Sequence, residues 1–493
     1  MIFHKQSIRR LLLLMTAFAL SVSAAEEFRD PVDHTPLIER FENELKPRYG
    51  TTSEAPPKWS LQERMAFHKV PALSIAVAID GKLAWAKAYG QTEKDKGQPV
   101  DTKTLFQAAS LSKPIASLAA LKLVSTGKIE LDSPVNDALQ SWKLPENEFT
   151  RKNPVTLRHL LSHRAGTTIH GFRGYLPSDD IPTSKQIVKG EDPANTDAVV
   201  VNQTPGSGYR YSGGGFQVVQ LLLEDLTQMS FAKWVNRSVF EPLSLSRSNF
   251  EYPQLDENSA TGHVGAGSNA IPGSGLIYPE LAAAGLWTTP TELVTIGTTL
   301  AEDRSGANIL IPQDLVKQLI PESAREAGLG FGLNNDGDGV AFVHNGHNPG
   351  FSARWINYAD GRASVAVLTN SDSGGLLIRE VLSALGHIYG WQQDAYLERE
   401  TIALSKEWTQ VVEGEYYIDH SSDEPGATIW VENNKLWIEG LLTDRTRLYP
   451  ISSRDFFIES GLNMTLVNDD EDLPNVLDVE GEVQLIRKKR YEP

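Results

Sequence analysis

Leu73 to Ile79 is an almost unbroken apolar run, and a second, Leu83 to Tyr89, follows after Asp80-Gly81. Two such runs joined by a two-residue turn predict a β-hairpin. Gly339 to His344, Phe351 to Tyr358 and Ala363 to Thr369 predict three further strands. A helix is expected between these sets, from about Ser110 to Val124, because Pro114 is tolerated in a first helical turn and nowhere deeper. Together they predict an α+β domain, an antiparallel sheet flanked by helices.

After about Lys406 the rhythm changes to short strands: Gly414 to Ile418, Thr428 to Glu432, Lys435 to Glu439, Thr446 to Pro450, Asp455 to Glu459, Met464 to Asn468 and Val483 to Lys488. Asn433-Asn434 supplies a hairpin turn, and Trp430 and Trp437 are expected inside. This predicts a small all-β barrel or sandwich. From 26 to 60, Pro and charged residues predict an extended arm or capping helix. The expected order is a leader over 1–25, the arm over 26–60, a large domain over 61–400 and the barrel over 406–493.

The leader reading rests on Lys5, Arg9 and Arg10 before an apolar run from Leu11 to Val22, with cleavage near Ala24 or Ala25. The run is short for a membrane span and has the form of a secretory signal peptide. Its removal takes the net charge from −17 to −20, which argues against nucleic acid and anionic membranes as partners. The absence of cysteine excludes disulfides, thiolate sites and lipoprotein attachment at the leader. A bacterial periplasmic or secreted protein is expected, and its 493 residues are too many for one ordinary core.

The candidate chemistry begins at Ser110-Leu111-Ser112-Lys113. A hydroxyl and an amine three residues apart share a helix face, at a helix start whose free N–H groups favour a developing oxyanion. With Thr104 to Ala109 leading in and Leu121 to Lys128 closing the helix, the stretch resembles the class C β-lactamase-like serine hydrolases: β-lactamases, D,D-peptidases, D-aminopeptidases and esterases. The resemblance runs from about Val70 to Asn370 and includes Val155 to Gly166 and Ala284 to Thr289, both read as architectural. It implies a β-lactamase-like sheet domain, and the terminal module looks like the lipocalin-like barrel of some relatives.

The resemblance implies a second motif, Tyr-x-Asn, met here by Tyr211-Ser212-Gly213 with glycine in the Asn place. Tyr211 is the candidate base, Lys113 stabilising its phenolate, and Tyr209 is a rival two residues earlier. The third motif, usually Lys-Thr-Gly, aligns with His344-Asn345-Gly346. Imidazole carries little fixed charge near neutrality, so it holds a carboxylate less well than an ammonium group does. Gly346 suits close approach of substrate backbone, and the His347 N–H is expected to join that of Ser110 in an oxyanion hole. Losing the Asn amide and the Lys charge points away from efficient β-lactam hydrolysis.

Other features carry less chemistry. His159 and His163 have zinc-pair spacing but no third ligand, and no metal or other cofactor is expected. Glu191 to Asn195 imitates an acid loop of another β-lactamase class but precedes Tyr211 instead of following it, which makes it coincidental. The chain has no Gly-x-Ser-x-Gly, which removes an α/β-hydrolase elbow. The polar stretch from 166 to 206 is expected to form a cleft rim, and Arg487 to Arg490 a solvated end. The expected function is a serine hydrolase cleaving a small ester, amide or peptide. Its competitor is a non-catalytic peptidoglycan- or peptide-binding protein of the same fold.

Overall fold

The two apolar runs at 72–90 pair as strands β1 (Ala72–Ile79) and β2 (Lys82–Gly90), with Asp80 and Gly81 turning the chain at φ of 48° and 74°. The computed structural model describes residues 33–251, 256–265, 267–335, 339–392, 395–418, 421–440, 443–468, 474–481 and 483–489. The expected 1–25 leader, the start of the expected 26–60 arm and Arg490 lie outside them.

Strands β5 (Gly332–Asn335), β6 (Val340–Asn348), β7 (Phe351–Tyr358) and β8 (Ala363–Thr369) complete a six-stranded antiparallel sheet, in the order β2-β1-β8-β7-β6-β5. Along β8 every residue is buried, and along β1 all but the last. Such strands read as unbroken apolar runs instead of alternating ones, because helices α6 (Pro290–Arg304) and α7 (Gly374–Tyr389) pack on this sheet.

A separate two-stranded ribbon, β3 (Phe106–Ala109) with β4 (Leu286–Thr288), was not predicted, and neither was β5. Strand β3 leads through the turn at Ser110 into helix α2 (Ser112–Ser125), whose residues are buried on nearly every side. Helix α4 (Gly213–Thr227) packs against α2 and against the short helix α5 (Leu281–Ala284).

The C-terminal strands β9 (Gly414–Tyr417), β10 (Ala427–Glu432), β11 (Lys435–Gly440), β12 (Thr443–Pro450), β13 (Asp455–Phe457), β14 (Asn463–Asn468), β15 (Pro474–Val479) and β16 (Val483–Lys489) form a closed barrel. Strand β15, whose apolar residues are interrupted by Pro474, Asn475 and Asp478, is the one the sequence reading missed. The interior holds Tyr416, Ile429, Ile438, Phe456, Leu466 and Leu477. Trp430 and Trp437 do not pack there. They are partly exposed cross-strand partners on the opposite face, with the Arg445 guanidinium 4.2 Å from the Trp437 ring centroid. A residue next to an inward Ile must point outward, whatever its size.

The turn between β13 and β14 is locked to the sheet domain. Glu380 of α7, fully buried, accepts a two-pronged bond from Arg64 of α1 (Leu61–Phe67) at 2.8 and 2.7 Å, another contact at 3.0 Å from His68, and a bond at 3.0 Å from Ser460 of the barrel turn. Burial opposes ionisation of this carboxyl, but the attraction of His68 and Arg64 outweighs it and lowers the pKa to about 2. Arg64 lies between the rings of Trp59 and Phe67, at 3.9 and 4.1 Å. Removing one partner strands a buried charge, so Glu380→Ala is expected to destabilise the protein by about 3–5 kcal/mol. Arg379→Ala, which breaks a partly exposed two-pronged pair with Glu480 and a bond to the Gly461 carbonyl of the same turn, should cost less, about 1–2 kcal/mol. Denaturant midpoints and slopes compare the two, and equal losses would mean that the buried cluster holds nothing special.

Candidate active site

Ala109 has a φ of 50°, a region that a non-glycine residue enters only when its surroundings hold it there. Ser112 holds it: its hydroxyl donates to the Ala109 carbonyl at 2.6 Å and accepts from the Leu286 N–H at 3.0 Å. The turn leaves Ser110 half-buried, just ahead of α2, with Lys113 one turn further on. The Lys113 Nζ lies 3.0 Å from the Ser110 hydroxyl and 2.8 Å from the Ala283 carbonyl. Among the described residues no carboxylate offsets its burial, and desolvation lowers its pKa from 10.5 to about 7. Near neutral pH a sizeable fraction of this amine is therefore unprotonated and able to accept a proton.

Tyr211 stands on the other side of that amine, its ring centroid 4.8 Å from Lys113 Nζ. Tyr209 is 65% exposed and meets the edge of His163. Of the two tyrosines, Tyr211 is therefore the one placed beside Lys113. Its ring also lies 5.0 Å from that of His170 and 6.4 Å from that of His344. Gly213 opens α4, and a Cβ there would lie 2.9 Å from the edge of the Phe172 ring and 3.1 Å from the His170 carbonyl. The 166–206 stretch thus fills the space that an Asn side chain would need.

His344, on β6, donates from Nδ1 to the Asn345 carbonyl at 2.6 Å, which leaves Nε2 as the acceptor nitrogen. Desolvation, with the Lys113 charge second, lowers its pKa to about 3, so the ring is neutral at any ordinary pH. Desolvation by its surroundings also lowers that of His347. A Cβ at Gly346 would collide with the Ala108 carbonyl oxygen, so on that side the glycine admits the protein's own β3. A cleft of about 260 Å³ is lined by His163, Arg164, Tyr209, Tyr211 and His344 together with part of the 324–333 segment. A larger groove of about 830 Å³ beside β2 contains none of these groups.

His163 is a residue the sequence reading took for architecture. Its ring stacks on that of Tyr211 at 4.3 Å and 29°, and its Nδ1 accepts the Ser212 N–H at 3.1 Å. His159 instead takes part in the cap of its own short helix, Leu157–Leu161, through the Thr156 N–H. The two histidines do not converge on a shared metal position. Among the described residues no helix is long and apolar enough to cross a membrane.

With a serine and a lysine one turn apart, a tyrosine across from them and a third-motif strand alongside, the architecture is that of a penicillin-recognising serine hydrolase. The chain belongs to the beta-lactamase family, which matches residues 60–381. It is 23% identical over 412 residues to penicillin-binding protein 4* of Bacillus subtilis (strain 168), covering 78% of this chain and 88% of that protein. Protein flp of Staphylococcus aureus (strain COL) is 25% identical over 255 residues, covering 52% of this chain and 48% of its own length. Among solved structures, the octameric penicillin-binding protein homologue from Pyrococcus abyssi superposes with a TM-score of 0.59 at 21% identity, covering 87% of this chain and 98% of that one. A D-amino acid amidase from Ochrobactrum anthropi SV3, complexed with L-phenylalanine amide, does so with a TM-score of 0.54 at 18% identity, covering 66% and 98%.

Proposed function

We propose that this protein is an exported serine hydrolase that cleaves a small ester or amide through an acyl-serine, with esterase or D-amino-acid peptidase-like specificity and weak β-lactamase activity or none. The observation that carries the reading is the 3.0 Å contact between the Ser110 hydroxyl and an amine whose pKa burial lowers to about 7. Lys113 takes the Ser110 proton as the oxygen attacks the carbonyl, and Tyr211 relays it to the leaving group. This moves part of the base role expected of Tyr211 onto Lys113. The N–H groups of Ser110 and His347 stabilise the oxyanion, and His344 Nε2 accepts from Tyr211 or a substrate donor. Water then attacks the acyl-serine by the reverse proton route. Export rests on the Leu11 to Val22 run.

Glycine in the Asn place, Phe172 beside it and a neutral His344 support the choice against β-lactams, and the D-amino acid amidase among the fold neighbours agrees with an amide substrate. Losing one charge-assisted contact costs about 1.5–3 kcal/mol, so kcat/KM for a p-nitrophenyl ester or a D-amino-acid amide should exceed that for nitrocefin by roughly ten- to a hundredfold. Mature protein is assayed on all three and labelled with a fluorophosphonate. An enzyme that prefers nitrocefin would overturn the specificity. A protein with neither adduct nor turnover would be the non-catalytic binder.

A further inference from the structure

We infer that His163 is a positioning residue for Tyr211, acting through the face and the Nδ1 atom of its ring. The inference rests on the reading of Tyr211 as the proton relay, and it assigns a catalytic consequence to a residue outside the three motifs.

Three contacts tie His163 to the segment that carries Tyr211. Its ring lies face to face with the phenol, its Nδ1 accepts the N–H of Ser212, and its backbone carbonyl accepts the N–H of Arg210 at 2.7 Å. The residues on either side of Tyr211 are thus both bonded to His163, while the ring between them rests on the imidazole. Position 163 follows a short helix at a φ of 56°, and Phe216 of α4 packs against the same ring at 5.2 Å, so the imidazole is held on several sides. Accepting at Nδ1 places the ring proton on Nε2. Desolvation, with Lys113 and the neighbouring histidines adding to it, keeps this ring neutral. A neutral ring supports the phenol without adding a cation that would compete with Lys113 for it. Besides its contacts with Lys113 and His170, the phenol thus depends on His163 for its ring face and for the backbone on either side, and misplacement of a reacting group by about 1 Å can cost a hundredfold in rate.

The test is His163→Asn, which suits a positive φ and keeps an acceptor near Nδ1 while removing the ring face. It is made both in the wild type and in Tyr211→Phe. In the wild type, kcat on a p-nitrophenyl ester should fall between about ten- and a hundredfold, with KM changed less than about threefold. In the Tyr211→Phe background the same change should alter kcat by less than about twofold, because no hydroxyl remains to be placed. His163→Phe carries the comparison if His163→Asn fails to fold, and kcat must fall there too, since the Ser212 N–H loses its acceptor. A wild-type kcat in the single variant, or an equal loss in both backgrounds, would overturn the positioning role alone. Full activity in Tyr211→Phe would overturn the relay reading and this inference with it.

Discussion

Ser110→Ala is expected to lower kcat for ester hydrolysis by about 10⁴-fold or more and to abolish the fluorophosphonate adduct, with the thermal midpoint nearly unchanged. The hydroxyl is half-buried, and its one side-chain hydrogen bond comes from Lys113, so its loss opens no core cavity. The turn that presents it is secured from elsewhere. Ser112, two residues on, is the informative contrast: its hydroxyl holds the strained Ala109 carbonyl and the Leu286 N–H. Ser112→Ala should lower stability by about 1–3 kcal/mol, having left a buried N–H unsatisfied, and should still label. Labelling lost in Ser112→Ala and kept in Ser110→Ala would move the nucleophile.

Lys113→Met should cost about 10³-fold in kcat/KM and at the same time raise the thermal midpoint at pH 7. The sign follows from the depressed pKa. Between about 7 and 10.5 the unfolded chain holds a proton on this lysine that the folded chain does not, so the group's contribution to stability falls as pH falls and is at its worst below about 7. A thioether of similar length removes that penalty and the base together. The wild-type kcat/KM should accordingly rise with pH through a midpoint near 7, as the amine loses its proton. His344 titrates near 3 and cannot set that limb, so His344→Gln should leave the midpoint in place even as it lowers the rate. A midpoint that moves with His344, or a Lys113→Met protein that melts earlier than wild type, would sink this assignment.

The barrel strands show how much of the fold was legible. In β10, Ile429 shares a face with Ala427 and Val431, whereas Trp430 shares the other with Thr428 and Glu432; in β11, Trp437 stands between Lys435 and Glu439 on its own face. The polarity of same-face neighbours thus marked both tryptophans as outward, and side-chain size misled. Ser110 and Lys113 were readable because a single turn brings residues i and i+3 together whatever packs around it. The role of Phe172 was not, since it lies 41 positions before Gly213 and meets it only through the folding of the 166–206 stretch. The same holds for the lowered Lys113 pKa, which comes from burial by segments distant in sequence. His163 had a visible cue in a histidine just past a helix end, but its partner is 48 positions away.

Position 346 acts as a shim of zero thickness. Because the Ala108 carbonyl already occupies the place of a Cβ, the gap between the strand that feeds the nucleophile and the strand beside it is set by the absence of a side chain. In the proposed mechanism the amides of Ser110, which follows β3, and of His347, on β6, converge on the oxyanion. Even a methyl group would wedge the strands apart, and on the proposed mechanism it would widen the spacing between the two oxyanion donors while Ser110, Lys113 and Tyr211 kept their sequence positions. The tolerance of the site is therefore machined into the residue of the third motif that has no side chain at all.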